Sequence, residues 1–278
     1  MLKVVTSLNL KIYGCRGSVA ISLTNGSRYG GNTSCMVLSS GSHNLIVDAG
    51  SGILQFEHDL KNLDGQPPDL SLLISHLHLD HIVGLSTFEP AYRDDSQLKI
   101  FTCSRGNQPL KEQIFGIFEP PYWPVSAKSI TTADCIAIEA DKPFNIGPFT
   151  VTAFNASHPD KTLSFHITDG HSTFVHLLDS EIGAVSPAVY KELLNYCQGA
   201  DLVVFDAAYS PVDYASFKGW GHSTIAEAIQ LANDSNCKRM LFAHFSQIYS
   251  DSEIDSWKTL LSDDSKYIFA HDGLELTL

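Results

Sequence analysis

The run Ser75-His76-Leu-His78-Leu-Asp80-His81-Ile-Val-Gly84-Leu85 places four potential metal ligands within six residues, His76 to His81. His76 and His78 alternate, so on an extended strand end their imidazoles fall on one side. Asp80 and His81 follow where the chain turns into a helix. Neutral imidazoles and carboxylates suit zinc, and manganese or iron as divalent ions accept the same donor set. One ion is over-supplied once ligands arrive from elsewhere, so two divalent cations are expected. A polar strand–helix junction with coincidental histidines is the alternative, and it leaves both spacing and context unexplained.

Two such cations, about 3.5–4 Å apart, acidify a bridging water, and the hydroxide attacks phosphorus or a carbonyl carbon. The leaving group then profits from an acid. His222, in Gly219-Trp-Gly-His222-Ser-Thr224, is the candidate. Asp206 ends the preceding strand, where it can hydrogen-bond His222 and favour the imidazolium. Thr224-Ile-Ala-Glu227 has capping-box spacing before an apolar stripe of Ile225, Ala228, Ile229 and Ala232. A share in capping that helix is therefore the competing role for His222.

These residues need strands to carry them. Asp69 to Ile74 is a buried-strand pattern leading into the histidine motif. Leu8, Leu10 and Ile12 alternate as a first strand, and Cys35–Leu38 with Asn44–Asp48 reads as a hairpin pair. Ser51 is placed to cap a helix over 52–63 with Ile53, Phe56, Leu60 and Leu63 on one stripe. A less regular stretch at about 86–135 holds a strand (Leu98 to Cys103), a short helix and a loop with Pro120-Pro-Tyr-Trp-Pro124. The second half repeats one theme. Strand-like segments run into His158, Asp179, Asp206 and His244. Sites in layered α/β folds gather at the carboxyl ends of strands, so these residues are candidates for one shared site.

The motif His76-x-His78-x-Asp80-His81 after an apolar strand resembles the signature of the metallo-β-lactamase fold superfamily. The resemblance implies a four-layer αββα sandwich spanning 1–278 as one hydrolase domain, with the 86–135 stretch as an insertion. It implies that His76, His78 and His158 bind one metal, Asp80, His81 and His244 the other, and that Asp179 bridges them. Asn155-Ala-Ser-His158, Leu178-Asp-Ser180 and Phe242-Ala-His-Phe-Ser246 are similar to the corresponding family segments. Asp48, in Val-Asp-Ala-Gly50, resembles an aspartate that orients a ligand histidine. His222-Ser-Thr224 before a helix is similar to the phosphodiesterase branch, which includes tRNase Z, phosphoribosyl cyclic phosphodiesterases and cyclic-nucleotide phosphodiesterases. There the histidine pairs with an acidic residue, here Asp206, one carbon shorter than the usual glutamate. On this basis His222, Asp206 and Asp80 are the catalytic groups. Relatives of this kind also suggest a homodimer.

Glycine-rich Gly14-Cys-Arg16-Gly-Ser18 and Tyr29-Gly-Gly-Asn32-Thr33-Ser34 can offer N–H groups, Arg16 and the side chains of Ser18, Asn32, Thr33 and Ser34 to a phosphate. For most of these residues the ordinary hairpin turn is the preferred reading. Tyr122 and Trp123 can stack on a base or ribose, pack the loop, or meet a second subunit. His43, His58, His166, His171 and His176 lack ligand context, and His271 reads as structural.

The 278 residues are 44% hydrophobic with a net charge of −13, which suits a globular protein and disfavours long polyanions. No basic arm for tRNA is present. No apolar run approaches the ~18 residues of a membrane span, and the first residues lack the apolar segment of a signal peptide. The six cysteines are scattered and read as reduced thiols, so a cytoplasmic location is expected. The expected activity is hydrolysis of a small cyclic phosphodiester, a cyclic nucleotide or cyclic sugar phosphate. An acyl hydrolase (lactonase, thioesterase or β-lactamase-like), a tRNA 3′-processing endonuclease and a non-catalytic metal sensor are the alternatives.

Overall fold

The computed structural model describes residues 7–22, 27–61, 70–93, 96–126, 129–130, 133–261 and 265–278. The N-terminal segment before residue 7, the helix end at 62–63 and Asp69 lie outside the described residues.

Within them the strands form two seven-stranded sheets. The first runs in chain order through β1 (Asn9–Gly14), β2 (Cys35–Ser40), β3 (His43–Val47), β4 (Leu70–Leu73), β5 (Lys99–Thr102) and β6 (Asp134–Ala137). The second runs through β7 (Pro143–Ile146), β8 (Phe149–Asn155), β9 (Leu163–Thr168), β10 (Thr173–Leu177), β11 (Leu202–Asp206), β12 (Met240–Ala243) and β13 (Tyr267–Phe269). The short β14 (Glu275–Thr277) returns to the first sheet and pairs antiparallel with β1. The expected strands are present, with ends moved by one or two residues where the chain bends into loops.

Alternation along the first sheet divides its side chains between two cores. Met36, Leu38, Leu45, Val47 and Leu73 face the second sheet. Cys35, Val37, Ile46, Leu70 and Leu72 face outward, where α1 (Ile53–Lys61), α2 (Leu79–Ile82) and α3 (Leu110–Phe115) cover them. On the far side, α4 (Pro187–Cys197) and α5 (Ile225–Ser235) cover the second sheet, with α5 against β11 and β12. The chain then closes through α6 (Asp251–Ser256). The layers are helix, sheet, sheet, helix, the αββα sandwich expected.

Strand direction fixes where the site lies. β3 to β6 are mutually parallel. In the second sheet β10, β11 and β12 are parallel, and two successive antiparallel pairings make β8 run the same way. Their carboxyl ends therefore bring Asp48, His76, His158, Asp179, Asp206 and His244 to one edge.

One local expectation is corrected. Ser51 does not cap α1. Its hydroxyl donates to Asn32 Oδ1 and accepts the N–H of Thr33, each at 3.0 Å, so it ties the helix entry to the neighbouring loop. No helix among the described residues is long and apolar enough to cross a membrane.

Candidate metal centre

The seven expected ligands converge. His76, His78 and His158 form one group of donor atoms within 4.8 Å of one another, Asp80, His81 and His244 a second, and His76, His81 and Asp179 a third. Asp179 lies between the two histidine sets, with Oδ1 3.7 Å from His76 Nε2 and 3.5 Å from His244 Nε2, and Oδ2 3.2 Å from His81 Nε2. On the other flank Asp80 Oδ2 stands 3.3 Å from His81 Nε2 and 3.7 Å from His244 Nε2. The Nε2 atoms of His76, His81 and His244 and Oδ2 of Asp179 are buried without a well-aligned hydrogen bond from the chain. Buried polar atoms left in that state are costly. Four of them converging, three lone-pair nitrogens and one carboxylate oxygen, fit a divalent cation.

The outer hydrogen bonds fix the rings. Asp48 Oδ2 accepts from His81 Nδ1 at 2.7 Å and from the Ser75 hydroxyl at 3.0 Å, and Asp48 Oδ1 accepts the Ser75 N–H at 2.8 Å. His81 Nε2 is thereby turned to the site. His158 Nδ1 sits 3.0 Å from the Thr162 hydroxyl and accepts the Asp160 N–H at 3.2 Å, leaving its Nε2 for a ligand.

The electrostatics suit the same purpose. Burial works against the Asp179 charge, but the imidazoles of His244, His81 and His76 hold its carboxyl well below the usual range. Asp80 is likewise held low by His81 and His244 against its burial. Burial, with His81 nearby, pushes the His76 imidazole well down, and burial lowers His158 too, so both favour the neutral ligand form. At His81 burial is outweighed by Asp179, Asp80 and Asp48, which draw positive charge to that point.

Backbone geometry is unusual where the sheets deliver these groups. Asp48 (φ 62°), Asp179 (φ 51°) and His244 (φ 63°) occupy the left-handed region, rare for residues other than glycine and concentrated at functional sites. Two glycines permit close approach: a Cβ at Gly17 would lie 2.5 Å from the His244 ring, and one at Gly221 would lie 2.1 Å from the His158 ring.

His222 joins the same cluster, its donor atom grouping with those of His158 and Asp179. Its Nδ1 lies 2.8 Å from Asp206 Oδ2 and 3.8 Å from Asp179 Oδ1, and its ring stacks on that of His244 with centroids 5.0 Å apart. Burial lowers its basicity, but Asp206, then Asp179 and Asp80, lift it to about 9. The α5 cap is made without it: the Thr224 hydroxyl accepts the Glu227 N–H, and the Glu227 carboxylate accepts the Thr224 N–H.

The residues expected to contact a phosphate are mostly engaged within the chain. Arg16 is 1% exposed, and its guanidinium is spent on the carbonyls of Gly30 and Tyr249 and on Asp251. The N–H groups of Gly31 and Asn32 both donate to Asp272 Oδ2 at 3.0 Å, so an internal carboxylate occupies the place assigned to a phosphate. Thr33 and Ser34 are buried; Thr33 Oγ1 accepts the Ser51 N–H, and the Ser34 hydroxyl donates to Asp48. Asn32 accepts from Ser51. Ser18 alone reaches the site, through its N–H to Asp80 Oδ2 at 2.8 Å. Trp123 is half-buried edge-on to Phe118 and packs the loop. Tyr122, 83% exposed, rims an apolar concavity of about 300 Å³ with Leu79 and Val83, lined by none of the seven ligands.

Three residues carry parts that sequence reasoning did not assign. Asp272 closes the second glycine loop. Glu181 is buried two residues after Asp179, and its carboxylate accepts from the Tyr214 hydroxyl and from the N–H groups of Gly219 and Gly221. His176, wholly buried on β10, has Nε2 3.6 Å from Asp48 Oδ2. The Asp-Ser-Glu run and the Gly-Trp-Gly turn were the available signals for Glu181; His176 offered none. His43, His58, His166, His171 and His271 join none of the clusters found among the described residues.

A family model described as a beta-lactamase superfamily domain matches residues 43–245, more than half of the chain. The chain is 27% identical over 217 residues to the probable metallo-hydrolase YhfI of Bacillus subtilis (strain 168), covering 76% of this chain and 79% of that protein. The crystal structure of the metallo-beta-lactamase fold protein YhfI superposes with a TM-score of 0.74 at 22% identity, covering 98% of this chain and 100% of that one. The ribonuclease Z of Bradyrhizobium sp. (strain ORS 278) is 22% identical over 270 residues, covering 79% of this chain and 85% of that protein. A diphosphatase from the PhnP family superposes with a TM-score of 0.70 at 14% identity, covering 98% of both chains.

Proposed function

The chain belongs to the beta-lactamase superfamily, and from that premise we propose that this metal-dependent hydrolase is a dinuclear phosphodiesterase of small cyclic phosphodiesters, a cyclic nucleotide or cyclic sugar phosphate. The observation that carries the reading is the His222–Asp206 pair, 2.8 Å apart and clustered with the expected metal ligands. An acid beside the metals serves a reaction that expels a poor alkoxide, as the opening of a cyclic phosphodiester does.

His76, His78 and His158 would hold one divalent cation and Asp80, His81 and His244 the other, with Asp179 shared; zinc suits this donor set, which manganese and iron also accept. When bound, the metals polarise the phosphoryl oxygens and acidify water. The chain's own residues do the rest. Asp48 holds His81 in one orientation, and the Ser18 N–H steadies the Asp80 carboxylate. Asp206 engages Nδ1 of His222, so Nε2 is the nitrogen left to face the substrate. From there the imidazolium, which Asp206 stabilises, hands its proton to the departing oxygen and is left neutral.

The diphosphatase and ribonuclease names among the relatives favour phosphate over acyl chemistry. The ribonuclease Z likeness makes a tRNA the second reading, and the net charge of −13 counts against so long a polyanion. Free thiols at all six cysteines favour a reducing cytoplasm.

The test is a panel on the zinc-loaded protein: 2′,3′- and 3′,5′-cyclic nucleotides, cyclic ribose phosphates, pre-tRNA, nitrocefin and lactones, scored by product. Opening of a cyclic diester to a monoester is expected. Turnover of lactones or nitrocefin with no diester opened would overturn the reading.

A further inference from the structure

The loop that delivers His222 also displays Trp220. Its backbone is fastened on both sides: the N–H groups of Gly219 and Gly221 donate to the two oxygens of Glu181 at 2.8 and 3.0 Å, and the Trp220 N–H donates to the Phe217 carbonyl at 3.1 Å. Glu181 is itself buried, so the loop hangs from a fixed point beside Asp179. Yet Trp220 is 60% exposed. An indole held on a fastened loop is a large apolar face kept ready for a partner.

The rings beneath it make a continuous wall. Tyr209 meets the His222 ring edge-on with centroids 6.0 Å apart, Phe217 stacks on Tyr209 at 4.2 Å and an interplanar angle of 4°, and Trp220 meets Phe217 edge-on at 5.4 Å. Exposure rises outward, from Tyr209 at 4% through half-buried Phe217 to Trp220. The wall starts at the acid and ends at the rim, one residue from Gly221, which abuts the His158 ring. It therefore borders the acid at its inner end and reaches solvent at its outer end.

We propose that Trp220 is a specificity-determining residue that stacks on the planar base of the substrate, which makes the preferred substrate a nucleotide rather than a bare cyclic sugar phosphate. The proposal rests on the phosphodiesterase reading and narrows it. Stacking of a base on an aromatic side chain is sequence-tolerant, because every base has a π-face. The wall thus selects for the presence of a base rather than for its identity.

Binding decides this separately from turnover. Adenosine 5′-monophosphate and ribose 5-phosphate are titrated calorimetrically into the zinc-loaded protein and into Trp220→Ala and Trp220→Phe. The alanine variant is expected to bind the nucleotide about tenfold more weakly, while the nucleotide-to-sugar affinity ratio stays near wild type in the phenylalanine variant. With a cyclic nucleotide and the matching base-free cyclic ribose phosphate as substrates, the ratio of the two KM values should shift by the same factor in Trp220→Ala. A general loosening of the loop would move both ligands together and leave the ratio fixed. An unchanged ratio, or a wild-type protein that binds the nucleotide no better than the sugar phosphate, overturns the role of Trp220. Absence of any diester turnover overturns the phosphodiesterase reading, and the binding ratio still decides the base contact.

Discussion

Replacing His176 with leucine, a side chain of similar volume, should make the protein markedly less sensitive to acid. Burial holds the His176 imidazole down to about 4 from 6.5, against the pull of the Asp48 carboxylate. The unfolded chain takes up this proton near pH 6.5, whereas the folded chain resists until about 4. Unfolding therefore binds a proton throughout that window, and stability falls as the pH falls. At ~1.4 kcal/mol per pH unit, the loss across the window from 6.5 down to about 4 reaches ~3 kcal/mol. Above pH 6.5 the penalty is absent. There the leucine variant should be at least as stable as wild type, because both ring nitrogens of His176 lack a hydrogen-bond partner, a condition that costs ~1–3 kcal/mol for a buried polar group. Urea unfolding of both proteins in chelator, at pH 7.5, 6, 5 and 4, reads the difference, and the shared ligand histidines cancel. Unfolding free energies that run parallel in the two proteins across this range would refute the argument.

Two further outcomes concern the site. His222→Ala should keep its metals and lose turnover by roughly 10²–10⁴-fold on a diester with an alkoxide leaving group, and much less on bis-(p-nitrophenyl) phosphate, whose leaving group needs little protonation; equal losses on both would remove His222 as the acid. Elemental analysis of protein purified without chelators should find two divalent metals per chain, fewer in His76→Ala and Asp179→Ala, with chelation abolishing turnover and zinc restoring it; a second site still empty after metal addition would sink the dinuclear assignment.

What the sequence revealed followed the range of the interaction. The His76–His81 run is one strand end and one helical turn, so its spacing is its geometry. His158, Asp179 and His244 were legible because each ends an apolar strand, and parallel strands carry such residues to one edge without further information. The internal bonds of Arg16 and the glycine loops were not legible because their partners are remote: the carboxylate that accepts from Gly31 and Asn32 is Asp272, more than two hundred residues later. His176 alternates along β10 like any strand residue, and only the docking of one sheet on the other sets it against Asp48. Glu181 needed the return of the 214–221 loop before its burial made sense.

The left-handed backbone at Asp48, Asp179 and His244 makes the site vulnerable to selection for robustness. Each costs ~1–2 kcal/mol relative to glycine in the same conformation. Glycine at any of them would relax the local chain and remove a group that the proposed metal centre uses. A screen of this protein that rewards heat resistance without demanding turnover should therefore strip its metal chemistry early, from the strand ends inward. A duplicate gene freed from catalytic duty would wear away along the same route, keeping the sandwich after its ligands had gone.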